Sequence, residues 1–171
     1  MKIDSFKKQL IVFVMLFSIM NSYSQITKAE IIATGLTCSM CSNAINKQLK
    51  TLPEVEKVLI DLNSNTFMVF LKKNTAITPT TLRKNIEKSG FFVGSMVLTM
   101  EVDNIQKNTS GFKNASGTYI LVDSKDPANE SIRLKVLNSG FVTKKEYKQL
   151  AKMLAKYPVD TQDETYLVKT I

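Results

Sequence analysis

The chain contains no histidine, and that absence removes the commonest general base and the commonest metal ligand together. Only two cysteines occur in 171 residues, so no framework of several disulfides can staple a small fold. No run of five or more basic residues occurs, although 23 lysines and arginines outweigh 15 acids and leave a formal charge of +8. The basic residues are scattered through every segment, which describes a solvated surface rather than a nucleic-acid-binding tract. Apolar runs are short as well. Beyond the N-terminus no stretch approaches the roughly 20 residues needed to cross a bilayer. No constellation for hydrolysis is visible, and the chain reads as a non-enzymatic protein that binds no nucleic acid. At 44% hydrophobic residues it can build a packed core.

The N-terminus has the order of a secretory signal. Lys2, Lys7 and Lys8 give a positive start, Leu10 to Met20 is nearly all apolar, and Ser22-Tyr23-Ser24 places small residues where a signal peptidase reads them. Residues 1–24 are thus expected to be removed, leaving Gln25 first, with no cysteine after the apolar core to accept a lipid. The removed segment holds three lysines and one aspartate, which lowers the charge from +8 by 2 to +6. The expected location is periplasmic or secreted, and the processed chain is not an integral membrane protein.

The informative stretch is Gly35-Leu36-Thr37-Cys38-Ser39-Met40-Cys41, which holds both cysteines. A strand-like run over Ile26–Thr34 leads in, and a helical pattern over Cys41–Leu52, with Ile45, Leu49 and Leu52 on one stripe, leads out. Pro53 stops that helix. Val55–Leu62 and Thr66–Lys72 form a hairpin around Asn63-Ser64-Asn65. Thr78 and Pro79 open a second helix as N-cap and first residue, and Gly90 closes it before a strand over Phe91–Met100. The order β-α-β-β-α-β is the ferredoxin-like arrangement, an α+β sandwich. Residues 25–100 are assigned to this domain, 101–117 to a polar linker or loop, and 118–171 to a small ββαβ unit of unknown role. In the last unit Thr143 and Glu146 have capping-box spacing at the start of a helix over Lys144–Lys156. The first sheet carries apolar residues on both faces: Phe67, Val69 and Leu71 on one, Met68 and Phe70 on the other. Its open face is therefore expected to be covered by the C-terminal segment or by a second copy in a homodimer.

Two thiols three residues apart, on a loop that opens a helix, can hold one soft ion between them. Two thiolates alone suit Cu(I) or Hg(II), whereas a closed Zn(II) site wants four ligands. The nearest carboxylate in sequence is Glu30, several residues back on the strand, so zinc would need a donor from elsewhere. The free N–H groups and dipole of the helix start favour thiolate over thiol, which serves metal binding and redox chemistry alike. A thiol-disulfide redox protein using the same pair remains open on these grounds. Met40 offers a thioether beside the pair.

These residues resemble the Gly-Met-Thr-Cys-x-x-Cys signature of heavy-metal-associated domains, the modules of copper chaperones, metal-pumping ATPases and the periplasmic mercury-binding protein. The resemblance covers about residues 26–98 and extends to Ile45, Leu49, Pro53-Glu54-Val55 and Ile86-Glu87-Lys88-Ser89-Gly90-Phe91. It implies that Cys38 and Cys41 are the metal ligands, with Phe91 the aromatic beside them. Leu36 stands where the family usually has a packing methionine. Thr37 is similar to copper-type members, so the resemblance favours Cu(I) over Hg(II) or Zn(II). It also implies either a metallochaperone-like role, with a metal-transporting ATPase or another acceptor protein as partner, or sequestration of a toxic ion such as Hg(II). Intact-mass measurement of the exported protein is expected to give a chain beginning at Gln25, and retention of residues 1–24 would contradict the signal reading.

Overall fold

The computed structural model describes residues 26–36, 39–73, 75–101, 110–123, 131–157 and 164–171. The expected signal segment, Thr37, Cys38 and most of the stretch between 101 and 110 lie outside the described residues. Strand β1 is Ile26–Thr34, helix α1 Ser39–Lys50, strands β2 and β3 Val55–Asp61 and Thr66–Leu71, helix α2 Pro79–Lys88 and strand β4 Phe92–Glu101. The six follow the order read from the sequence, and the fold is α+β. The C-terminal elements are β5 (Gly111–Asn114), β6 (Gly117–Leu121), β7 (Ser131–Val136), α3 (Lys144–Leu154) and β8 (Thr165–Thr170).

The eight strands among the described residues form one sheet in the order β2-β3-β1-β4-β7-β8-β6-β5. Strand β4 pairs antiparallel with β1, Ile26 opposite Met100 through Thr34 opposite Phe92, and on its other side with β7, Val97 opposite Lys135 through Glu101 opposite Ser131. The C-terminal unit thus continues the first sheet by occupying the edge that β4 would otherwise expose. Strand β5 lies inside the stretch read as linker. Its four residues, Gly-Phe-Lys-Asn, have little strand propensity and gave no alternation to detect. The hairpin holds it in place: Asn114 Oδ1 accepts from Ser116 N at 2.8 Å, and a Cβ on Gly111 would lie 2.3 Å from the Tyr119 carbonyl oxygen. Only glycine permits that approach.

Strand alternation sorts the side chains into two layers. On one face Ala29, Ile31, Phe67, Val69, Met96, Leu98, Ile132, Leu134 and Val136 are buried under Ile45 and Leu49 of α1 and Leu82 and Ile86 of α2. The same core runs into the C-terminal strands through Tyr119, Tyr166 and Val168. A smaller cluster of Leu137, Leu154 and Leu167, flanked by Ile120, Tyr147 and Leu150, places α3 on the opposite face. Lys135 Nζ, also on that face, donates to Glu146 Oε1 of α3 at 2.5 Å. Thr143 Oγ1 accepts from Glu146 N at 3.2 Å, so half of the expected capping box forms while the carboxylate turns to Lys135.

The C-terminal segment does not cover the open face of β1 to β3 as expected. Helix α3 covers the extension over β6 to β8, and the C-terminal unit otherwise takes the edge of the first sheet rather than its face. Over β1 to β3, Met68 and Phe70 are half-buried and Ile32 and Leu59 remain 41% and 38% exposed. Polar groups share this area: Glu30 pairs with Lys28 at 2.7 Å and with Arg133 of β7 at 2.9 Å, and Lys57 Nζ sits 5.9 Å from the Phe70 ring centre.

Aromatic stacking joins the C-terminal strands to one another, and a tyrosine hydroxyl ties them to α2. Tyr119 lies between Phe112 and Tyr166 at ring-centre distances of 5.1 and 5.3 Å. The Tyr166 hydroxyl lies 2.9 Å from Thr80 Oγ1, accepts from Thr80 N at 3.2 Å and donates to the Glu164 carboxylate. Burial and that carboxylate push the phenol up to about 12. A fragment of residues 25–100 loses the β4–β7 ladder and uncovers a strand edge. It is expected to self-associate or to unfold at lower denaturant than the full chain, and a stable monomer by light scattering would show that the first unit is self-sufficient.

Candidate metal-binding loop

The loop between β1 and α1 sits at one end of the sheet, where β1 ends at Thr34 and β4 begins at Phe92. Gly35 turns the chain off the strand with φ +87°, a conformation that costs an L side chain about 1–2 kcal/mol. The Phe91 ring packs beside it: a Cβ built on Gly35 would meet Phe91 Cδ1 at 3.8 Å. Leu36 is partly buried and packed against the main core, which agrees with the packing role its position implies. The other side of the corner is held by Thr34 Oγ1, which donates to the Phe92 carbonyl at 3.3 Å. At Gly94 a Cβ would press to 2.5 Å from Thr34 Cγ2.

Helix α1 starts at Ser39, two residues earlier than its apolar stripe indicates. Cys41 therefore lies in the first turn, half-buried, and Met40 beside it is 79% exposed. The first turn carries no acid, and Lys47 and Lys50 stand in the last turn, a distribution that leaves the positive end of the helix dipole unneutralised at Cys41. Ser42 and Ile45, the next inward positions, are buried and anchor the helix below the loop. Helix α1 is further tied to α2 by Gln48 Nε2 donating to Asn85 Oδ1 at 3.0 Å. The other predicted ligand, Cys38, falls outside the described residues. Cys41, in α1, and Phe91, just ahead of β4, are both brought to this end of the sheet from positions far apart in sequence.

Glu30 is committed elsewhere. Its register places it opposite Met68 on the open face, and the Lys28 ammonium hydrogen-bonded to it, aided by Arg133, lowers its pKa from the ordinary carboxylate value. Among the described residues no three of cysteine, aspartate and glutamate converge on a common point.

The C-terminal unit reaches the same end, which sequence spacing did not reveal. The turn after β7 packs on α2: the Arg83 guanidinium lies 5.3 Å from the Phe141 ring centre, and a Cβ on Gly140 would come within 2.9 Å of Arg83 Nη1. Thr34, Phe92 and Val93 then form one wall, and Val142, Thr143, Lys144, Tyr147 and Lys148 the other, of a groove of about 570 Å³. No motif connects these residues, since contact between positions 34, 92 and 142 exists only once β1, β4 and β7 are paired.

Residues 30–92 match the heavy-metal-associated domain family, and this part of the chain belongs to it. Over 66 residues the chain is 32% identical to the Arabidopsis thaliana protein named "Probable copper-transporting ATPase HMA5", a match that takes in 39% of this chain and 6% of that protein. The solved yeast copper transporter domain Ccc2a is 34% identical over 38% of this chain and 88% of its own, with a TM-score of 0.35. The soluble region of the Bacillus subtilis P-type ATPase CopA is 26% identical over 42% of this chain and 47% of its own, with a TM-score of 0.37. These three matches take in at most 42% of the chain, and the family match ends at residue 92, ahead of the C-terminal unit. Gly35→Ala is expected to lower stability by roughly 1–2 kcal/mol from the backbone conformation alone. Chemical denaturation reads this directly, and an unchanged midpoint would mean that the loop relaxes without cost.

Proposed function

We propose that the chain is an exported, non-enzymatic soft-metal carrier that holds Cu(I) between the thiolates of Cys38 and Cys41. The observation that carries this reading is the Cys-x-x-Cys loop at a strand-to-helix corner within a heavy-metal-associated domain, with Cys41 in the first turn of α1. Cu(I) accepts two-coordinate thiolate ligation, and the helix start favours the ionised sulfur that binds it. Carriage without tight enclosure suits transfer. The loop lies at the end of the sheet beside an exposed Met40, where an incoming thiolate can attack the ion before either original bond is broken.

The acceptor proposed is a metal-transporting ATPase or another protein bearing a similar thiolate loop. The likeness of residues in this domain to a protein named for copper transport supports that class of partner. Export to the periplasm or beyond follows from the N-terminal signal pattern. In such an oxidising compartment the pair must be delivered reduced or already loaded.

Anaerobic titration of the reduced mature protein with Cu(I), Zn(II) and Hg(II) tests the proposal. One Cu(I) per chain is expected. Cys38→Ser and Cys41→Ser should each lose more affinity than the roughly 10–100-fold seen when an outer-shell partner of a metal site is removed. Preferred uptake of Hg(II) or Zn(II) would reassign the cargo. No uptake of any ion, with a reversible dithiol potential in the range of about −120 to −270 mV, would instead make the pair a redox couple.

A further inference from the structure

The groove beside the metal loop is built jointly by the heavy-metal-associated domain and the C-terminal unit. Its floor is apolar, with Val93 and Val142 buried at its base. One lip is Phe92, 66% exposed, an unusual exposure for a phenylalanine with a packed neighbour on each side. Phe91 and Phe92 divide between two jobs: the first packs at Gly35 under the metal loop, and the second lines the groove. The other lip is the start of α3, where Lys144 and Lys148 line the groove with Tyr147 between them, and Lys145 stands exposed alongside. The acid that faces them, Glu87, is paired with Arg83 at 3.0 Å, so the rim is positive.

We propose that this groove is a docking site for the metal acceptor, and that the acceptor presents an acidic surface with a projecting apolar side chain. The inference rests on the metal-carrier reading. The groove begins at Thr34, the residue before Gly35, so a protein that brings a thiolate loop to Cys38 and Cys41 lies over it. A volume of about 570 Å³ is enough to receive a large side chain, and a buried apolar or aromatic anchor inside a charged rim is the usual composition of a specific interface. Two lysines on the rim select carboxylates on the partner and speed its approach. The arrangement also gives the C-terminal unit a role in recognition, because it adds the basic lip that the metal-binding domain lacks on its own strands.

Backbone amide NMR of the mature chain tests the docking, with two purified apo metal-binding domains of copper ATPases as probes, one of net negative and one of net positive charge. The acidic domain is expected to shift the amides of Val93, Val142 and Tyr147, and the basic one to leave them in place. Phe92→Ala and the double variant Lys144→Glu with Lys148→Glu are each expected to weaken the acidic domain at least about tenfold, and raised salt to weaken it for the unaltered chain. These side chains are exposed, so folding is not at stake. Shifts confined to residues 35–41, shifts on the open face at Ile32, Met68 and Phe70, or equal affinity in both variants would overturn the proposal. Because the probes carry no metal, this result is independent of the Cu(I) titration. Uptake of Cu(I) without groove shifts overturns the docking alone, and groove shifts without Cu(I) uptake overturn the carrier reading alone.

Discussion

Strand β4 is hydrogen-bonded on both sides, and the rest of the molecule depends on that. In the ferredoxin-like order β2-β3-β1-β4 it would be an edge, with a row of unpaired backbone groups open to any passing strand. Pairing with β7 satisfies those groups and fixes the register of the extension, so that Ile132, Leu134 and Val136 fall under the same helices as Leu98 and Met100. A one-residue slip would turn all three out of this core to the opposite face. The main core thereby crosses from the metal-binding domain into the C-terminal unit without a break, and the Tyr166 hydroxyl at Thr80 secures α2 from the far side.

The same pairing decides what surrounds the cysteine loop. Strand β7 runs toward the end of the sheet that carries Gly35 and Phe91, so the turn after it arrives against Arg83 and Glu87 of α2. Helix α3 then starts there and crosses to the other face of the sheet. A loop that would stand at the exposed tip of a free domain instead has a basic, partly aromatic wall beside it. The register shift between β1 and β4 at Ile32 and Ala33 fits this crowding, because Gly94 must lie against Thr34 and has no room for a side chain.

The first domain was legible because its signals are local. Ile45 and Leu49 recur at helical spacing, Phe67 and Val69 alternate, and Thr78-Pro79 and Gly90 punctuate α2; each forms the element its spacing indicates. Cys41 stands out by its spacing from Cys38 and by the glycine that precedes them. Strand β5 was not legible, because its hold on the sheet comes from the approach of Gly111 to Tyr119 and not from propensity. The Glu146 carboxylate departs from its capping-box spacing for a related reason, since a lysine on another element outcompetes the local backbone N–H.

Composition and spacing by themselves determined that this chain has two soft donors, no histidine to extend them, and an α+β domain whose strand-helix corner carries them. These properties are set by neighbours within a few residues, through dihedral preference, capping and the period of apolar positions. Only the tertiary structure decided that the C-terminal unit continues the sheet, that α3 lies on the face opposite α1 and α2, and that Glu30 is held by Lys28 and Arg133 away from the cysteine loop. The physical reason is that strand partners are chosen by backbone hydrogen bonds, which every residue but proline offers alike. Which edge meets which is settled by the burial that results, and no short stretch of sequence records it.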